Sequence, residues 1–288
     1  AREYKIMLTR TRWPYPRVVA HRAGGSVAPE NTLVALRAAA GLGFAGVEID
    51  ARLAACGSAV LMHDATVDRT TDASGPVAEF TADDLRGLDA GVWFGNEYAG
   101  EHVPALDAAA VLCHATGLWT NIEIKADDGE EAEAGHVIAR EVKRLWPDAS
   151  PSPLLSSFSE EVLAAAMESV PDLPRALIVR QPPTDWREPV TRLKCRALHV
   201  DQQYVTEALI ADVHAAGIAI AAYTVNSPGR ALVLFEWGVD AVFTDDATPQ
   251  RVVKIQDETL LRHTRQRPEV LHVLARQRAQ HRSGDGCL

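Results

Sequence analysis

Residues 17–64 read RVVAHRAGGSVAPENTLVALRAAAGLGFAGVEIDARLAACGSAVLMHD. Three short apolar runs lie in this stretch, and titratable groups stand at or near the end of each. Val18-Val19-Ala20 leads to His21 and Arg22, Ala45-Gly46-Val47 to Glu48 and Asp50, and Ala59-Val60-Leu61-Met62 to His63 and Asp64. Apolar strands that end in polar groups are how an α/β protein presents chemistry at the carboxyl ends of its strands. Only about eight residues separate Asp50 from Ala59, whereas a parallel crossover needs about a dozen or more. The second and third runs are therefore predicted to form an antiparallel hairpin, which folds His63 back beside Glu48 or Asp50.

Outward from this stretch, strand and helix patterns alternate. Strands are predicted near 18, 46, 120, 154, 175, 197, 218 and 241, with the run at 59–62 set aside as the hairpin partner. Helices are predicted over 31–42 (capped by Asn31 or Thr32), 105–117, 130–146, 159–168, 186–193, 206–216, 228–237 and about 249–262. Eight βα units in one chain predict an α/β fold, a TIM (β/α)8 barrel over residues 1–262. A doubly wound open sheet is the alternative, but it seldom puts functional groups on so many strand ends. Residues 51–104 carry a polar excursion with one short helix at 81–88, expected as a small insertion after the second strand. Residues 263–288 are expected as a basic tail, disordered or with one short amphipathic helix. The first Met is Met7, and residues 1–6 are given equal weight as native or added sequence.

The composition is that of an ordinary soluble protein, 47% hydrophobic and 24% charged in 288 residues. A net charge of −10 argues against a nucleic-acid partner. Cys56, Cys113, Cys195 and Cys287 form no CxxC pair, so zinc or redox chemistry is not expected, and scattered thiols suit the cytoplasm. No apolar run reaches the roughly 18 residues of a membrane span, and no stable membrane association is expected. The basic N-terminus lacks the apolar core of a secretory signal.

Glu48 and Asp50 are two apart and share one face of a strand. With Glu123 they make three carboxylates on two strand ends. Unpaired carboxylates inside a barrel are costly. A divalent cation with oxygen ligands, Mg²⁺ or Ca²⁺, would relieve that cost; salt bridges to Arg22, Arg52 and Lys125 are the alternative. His21 and His63 stand beside this cluster as candidate acid and base. Arg22 and Lys125 suit a phosphate, or simply balance the carboxylates. Trp93, Phe94, His199 and Tyr223 are candidate pocket walls. Against that, Trp93 and Phe94 could form the insertion's own core, His199 could be core packing, and Tyr223 could lead into a turn at Asn226-Ser227-Pro228.

Together these residues resemble the glycerophosphodiester phosphodiesterase family, specifically its bacterial cytoplasmic class. The matching motifs are His21-Arg22 before a Gly loop, Ala28-Pro29-Glu30-Asn31-Thr32, Glu48-Ile49-Asp50, His63-Asp64, Leu88-Asp89-Ala90-Gly91 with Trp93-Phe94, Asn121-Ile122-Glu123-Ile124-Lys125, Leu155-Ser156-Ser157-Phe158 and Tyr223-Thr224-Val225-Asn226. The resemblance spans about residues 17–249. It implies a TIM barrel with an insertion after the second strand. It implies hydrolysis of glycerophosphodiesters to sn-glycerol 3-phosphate and an alcohol, assisted by Mg²⁺ or Ca²⁺. It maps the metal ligands onto Glu48, Asp50 and Glu123, the acid/base pair onto His21 and His63, and phosphate binding onto Arg22 and Lys125. His21 as base and His63 as acid is the favoured order. The family's His-Arg-Gly is here His21-Arg22-Ala23; if that position has φ > 0, Ala23 adds strain of about 1 kcal/mol or more. A lysophospholipase D-type phosphodiesterase and a non-catalytic phosphodiester-binding protein are the rival functions. The first needs an acyl groove, and the second would have lost a histidine or a carboxylate.

Overall fold

A parallel sheet is apolar on both faces and must be covered on both. A closed barrel inside a ring of helices does this, and the computed structural model, which describes residues 13–246, has that form. In chain order the elements are β1 (Val18–Ala20), α1 (Leu33–Gly41), β2 (Gly46–Leu53), β3 (Ala59–Leu61), α2 (Ala82–Gly87), α3 (Leu106–Thr116), β4 (Trp119–Ile124), α4 (Glu131–Leu145), β5 (Leu154–Ser157), α5 (Glu160–Ser169), β6 (Arg175–Val179), α6 (Arg187–Arg192), β7 (Ala197–Asp201), α7 (Glu207–Ala215), β8 (Ala219–Tyr223), α8 (Pro228–Trp237) and β9 (Ala241–Thr244). Eight parallel strands run β1-β9-β8-β7-β6-β5-β4-β2 and close through a β1–β2 pairing. The ninth, β3, pairs antiparallel with β2 as the short spacing requires, with Ala51 opposite Leu61. The helix expected over 249–262 and the tail at 263–288 lie outside the described residues.

Strand alternation sorts the side chains into two cores. Val47, Ile49 and Ala51 of β2 face the helices and join the main core with Leu36, Ile122, Ile138 and Leu198. The other set of faces lines the barrel: Val19, Trp119, Leu154, Ala176, Ala197, Ala219, Ala221, Ala241 and Phe243 pack together, with Trp13 among them. Small residues from β6 to β9 leave room there for the two indoles and Phe243. Tyr15 stacks on Trp119 at a centroid distance of 4.4 Å.

The helices start where side-chain oxygens can serve free backbone N–H groups. Thr32, Ser159, Thr206 and Ser227 cap α1, α5, α7 and α8 in this way. Glycines at Gly117 and Gly238 end α3 and α8 in the left-handed region. Between β3 and α3 the chain leaves the barrel layers. There Met62, Val67, Val77, Leu85, Ala90 and Val103 form a separate small core, with Ala54 and Val60 beneath. Thr81 and Asp84 close a reciprocal capping box on α2. Among the described residues, no helix is long and apolar enough to cross a membrane.

Candidate active site

The titratable groups converge at the carboxyl end of the barrel. His21 opens a single 3-10 turn, His21–Ala23, directly after β1. Arg22 and Ala23 lie at φ 51° and 63°, in the left-handed region. For non-glycine residues this costs about 1–2 kcal/mol each, so the surroundings must hold the turn. The Arg22 backbone N–H donates to Glu48 Oε2 at 2.8 Å, and the Asn31 N–H donates to the Arg22 carbonyl at 2.9 Å. Glycines let the loop close. A Cβ on Gly24 would stand 2.6 Å from Ala35 Cβ, and one on Gly25 2.4 Å from Asp245 Cα. The φ > 0 condition attached to Ala23 is met.

Glu48, Asp50 and Glu123 are buried and each offers one carboxylate oxygen, the three lying within 4.8 Å of one another. Parallel pairing of β2 with β4 brings this about by placing Asp50 opposite Glu123. Burial, reinforced by the charge of Asp50, pushes the Glu48 carboxyl up to about 8. Glu123 is raised by the same two causes. At Asp50 burial also opposes ionisation, but Lys125, His63 and Arg22 outweigh it and hold the carboxyl below its usual range. Lys125 Nζ lies 3.2 Å from Asp50 Oδ1 and hydrogen-bonds Glu123 Oε1. Arg22 Nε lies 3.8 Å from Asp50 Oδ2. Asn31, one of two candidate caps for α1, instead donates its Nδ2 to Asp50 Oδ2 at 2.7 Å, and Thr32 caps the helix. Arg52 turns away to Asp127, at 2.5 Å. Salt bridges thus satisfy part of the cluster only. Glu48 Oε1 is buried and accepts no hydrogen bond, Asp50 Oδ1 has only the Lys125 ion pair and no hydrogen bond, and Arg22 Nε donates none.

Each histidine is tied to a carboxylate through Nδ1. His21 Nδ1 is 2.7 Å from Asp245 Oδ1, and His63 Nδ1 is 2.6 Å from Asp64 Oδ1. A proton on Nδ1 donated to the carboxylate leaves the Nε2 lone pair free. His21 Nε2 lies 3.9 Å from Glu48 Oε2. Burial opposes a charge on His21, but Asp245, Glu48 and Asp50 together hold its pKa above the ordinary value. For His63, burial first, helped by Lys125 and Arg22, outweighs Asp50 and Asp64 and holds the pKa below it. The two histidines are thus biased in opposite directions, His21 towards the charged form and His63 towards the neutral form.

The remaining candidates separate. Tyr223 stands at the carboxyl end of β8 with its hydroxyl donating to the Val179 carbonyl at 3.1 Å, edge-on to the exposed Phe158. Phe158 lies 5.8 Å from Lys125 Nζ, so both rings border the carboxylate cluster. His199 is buried in the barrel, 4.9 Å from the Phe243 ring and 6.3 Å from Trp13. Burial alone drives its pKa down to about 3, so it packs as a neutral core residue. Trp93 and Phe94 stay outside the small core of the excursion. They stack edge to face with each other, and Phe94 does the same with Tyr98, whose hydroxyl donates to the Val27 carbonyl in the β1 loop.

Four side chains of the site had no role assigned from sequence. Asp245 is clamped by Asn226, which donates Nδ2 to its Oδ2 at 2.9 Å and accepts its backbone N–H at 2.8 Å. The rim logic that selected His21 and Glu48 applies equally to Asp245, one residue past β9, and would have found it. Glu30 and Asp64 sit inside recognised motifs. Arg69, which joins them, has no signal of its own, since Glu30 is 39 residues away in the chain.

Residues 21–248 match the Glycerophosphoryl diester phosphodiesterase family. The chain is 36% identical to a phosphodiesterase from Oleispira antarctica solved in complex with the product sn-glycerol-3-phosphate, with a TM-score of 0.80 over 84% of this chain and 97% of that one. It is 29% identical to the glycerophosphodiester phosphodiesterase of Caldanaerobacter subterraneus subsp. tengcongensis, over 83% of this chain and 96% of the relative. A glycerophosphodiester phosphodiesterase of Bacillus subtilis is 28% identical, over 79% and 82%. With an eight-stranded barrel, a carboxylate triad and a match over most of its length, the chain belongs to the glycerophosphoryl diester phosphodiesterase family.

Proposed function

We propose that this protein hydrolyses glycerophosphodiesters to sn-glycerol 3-phosphate and an alcohol, using His21 and His63 as an acid/base pair beside a divalent cation. The observation that carries this reading is the buried triad of Glu48, Asp50 and Glu123, flanked by two histidines that each rest on a carboxylate. The donor set fits a hard cation such as Mg²⁺ or Ca²⁺. All three ligands are carboxylates, and the buried oxygen Glu48 Oε1 accepts no hydrogen bond. Bound there, the cation would neutralise phosphate charge and polarise an oxygen next to phosphorus. Arg22 and Lys125 hold the phosphate by charge-assisted hydrogen bonds. One histidine takes the proton of the attacking hydroxyl and the other protonates the leaving alcohol.

The substrate carries its own candidate nucleophile, the glycerol 2-hydroxyl. Already next to phosphorus, it attacks at little entropic cost and expels the alcohol, giving a cyclic phosphate that water then opens to sn-glycerol 3-phosphate. Phe158 and Tyr223 pair edge to face beside Lys125 and support an alcohol subsite on that side. Cys56, Cys113 and Cys195 are free thiols, which supports a reducing, cytoplasmic setting. The test is to incubate the protein with glycerophosphocholine and with its 2-deoxy analogue, Mg²⁺ or Ca²⁺ present, and identify products. Release of sn-glycerol 3-phosphate and choline from the first, with the analogue acting as an inhibitor, is the expected result. No release from glycerophosphocholine or any other glycerophosphodiester would refute the function. Equal turnover of both would replace the internal hydroxyl by water.

A further inference from the structure

Arg69 lies outside the barrel, and nothing in the proposed chemistry uses it. Its guanidinium nevertheless spans two site carboxylates. Towards Asp64 it donates Nε to Oδ2 at 2.6 Å and Nη2 to Oδ1 at 3.1 Å. Towards Glu30 it donates Nη1 to Oε2 and Nη2 to Oε1, each at 2.8 Å. Both acceptors are already engaged with the site. Asp64 Oδ1 holds His63 Nδ1, and Glu30 Oε1 also accepts from Arg22 Nη1 at 2.8 Å. One planar fork therefore closes an unbroken chain of hydrogen bonds from His63 to Arg22.

The backbone that carries Arg69 is fixed. Val67 is wholly buried, and Thr70 and Thr71 are buried on the other side. The Thr71 N–H donates to the Val67 carbonyl at 3.0 Å, as does the Thr71 hydroxyl at 2.8 Å. Val67 N–H donates to the Gly75 carbonyl at 3.0 Å. An exposed ion pair on a mobile side chain does little. A two-ended bidentate grip from a pinned backbone fixes distance and orientation.

We infer that Arg69 is a positioning residue, setting His63 and Arg22 relative to one another by gripping Asp64 and Glu30 together. The inference rests on the proposed reading in which His63 and Arg22 act on the substrate. It assigns the excursion between β3 and α3 a part in the reaction, since that segment supplies both His63 and the residue that aligns it with the β1 turn.

Steady-state kinetics on glycerophosphocholine with saturating Mg²⁺ or Ca²⁺ test this, with His63→Ala as reference. Arg69→Ala is expected to lower kcat/KM by about 10- to 100-fold, kcat falling through His63 and KM rising through Arg22. Its melting temperature should stay within about 2 °C of the parent. Arg69→Lys should recover only part of the loss, because one ammonium cannot grip both carboxylates in pairs. In a Glu30→Ala, Asp64→Ala background, adding Arg69→Ala should cost less than about threefold. Near-parental kinetics in Arg69→Ala beside an inactive His63→Ala would overturn the positioning role and leave the proposed function standing. An active His63→Ala would overturn both. An equal loss in parent and double background, or a melting temperature that falls with turnover per folded molecule unchanged, would also overturn it.

Discussion

His21 stands at the end of an apolar strand, where such barrels work, and its imidazole is oriented by a residue that the fold brings to it. Asp245 meets His21 across 224 residues of chain. Its expected role is to keep the Nδ1 proton of His21 in place, so Asp245→Asn should lower kcat by about 10- to 100-fold with KM little changed. Turnover within about twofold of the parent would remove Asp245 from the account. His21→Ala and His63→Ala should each cost a factor of about 10² or more, and the double variant much less than the product. Ala23 shows how a motif departure is absorbed. Its left-handed φ costs about 1–2 kcal/mol. Its wholly buried methyl and its smaller unfolded-state entropy return about as much. Ala23→Gly should then change the unfolding free energy in denaturant by less than about 1 kcal/mol.

Among the elements, β3 was the most informative to read, since about eight residues between Asp50 and Ala59 allow no parallel crossover. Its pairing with β2 has the Met62 N–H donating to the Asp50 carbonyl at 3.1 Å, which places His63 at the rim. Helices were legible from caps and spacing, but their packing distances were not. Gly135 lies inside α4, where propensity alone favours Ala by about 1 kcal/mol. Yet a Cβ there would meet the Val162 carbonyl oxygen at 2.4 Å and Ala165 Cβ at 2.8 Å, both on α5. Backbone cannot yield as a flexible side chain can, and overpacking costs about 1–3 kcal/mol. The clash wins, so Gly135→Ala should lower the urea midpoint. A raised midpoint would mean that α4 and α5 are free to move apart.

The barrel as a whole stores an electrostatic cost at one end, which composition could not reveal: a net charge of −10 says nothing about three carboxylates within 4.8 Å. Glu48 and Glu123 both show that cost, each carboxyl being pushed up by burial and by Asp50. The Glu48 carboxyl, ordinarily at 4.5, is raised to about 8 by burial first and Asp50 next. Between those values the folded protein binds more protons than the unfolded chain, so this contribution to stability falls as pH rises through the window. It is fully present below about 4.5. A cation on the triad replaces the proton, so the rise in melting temperature on adding Mg²⁺ or Ca²⁺ should be larger at pH 8.5 than at pH 6. Equal rises would show that no triad proton is displaced. The central claim is that this triad holds the cation on which hydrolysis depends, and the most direct measurement is glycerophosphocholine hydrolysis before EDTA, after EDTA, and after restoring Mg²⁺ or Ca²⁺. Activity should vanish with EDTA and return with the cation in the parent, while Glu48→Gln and Asp50→Asn stay low throughout. Full activity in EDTA, or a parental response to the cation in both variants, would contradict it.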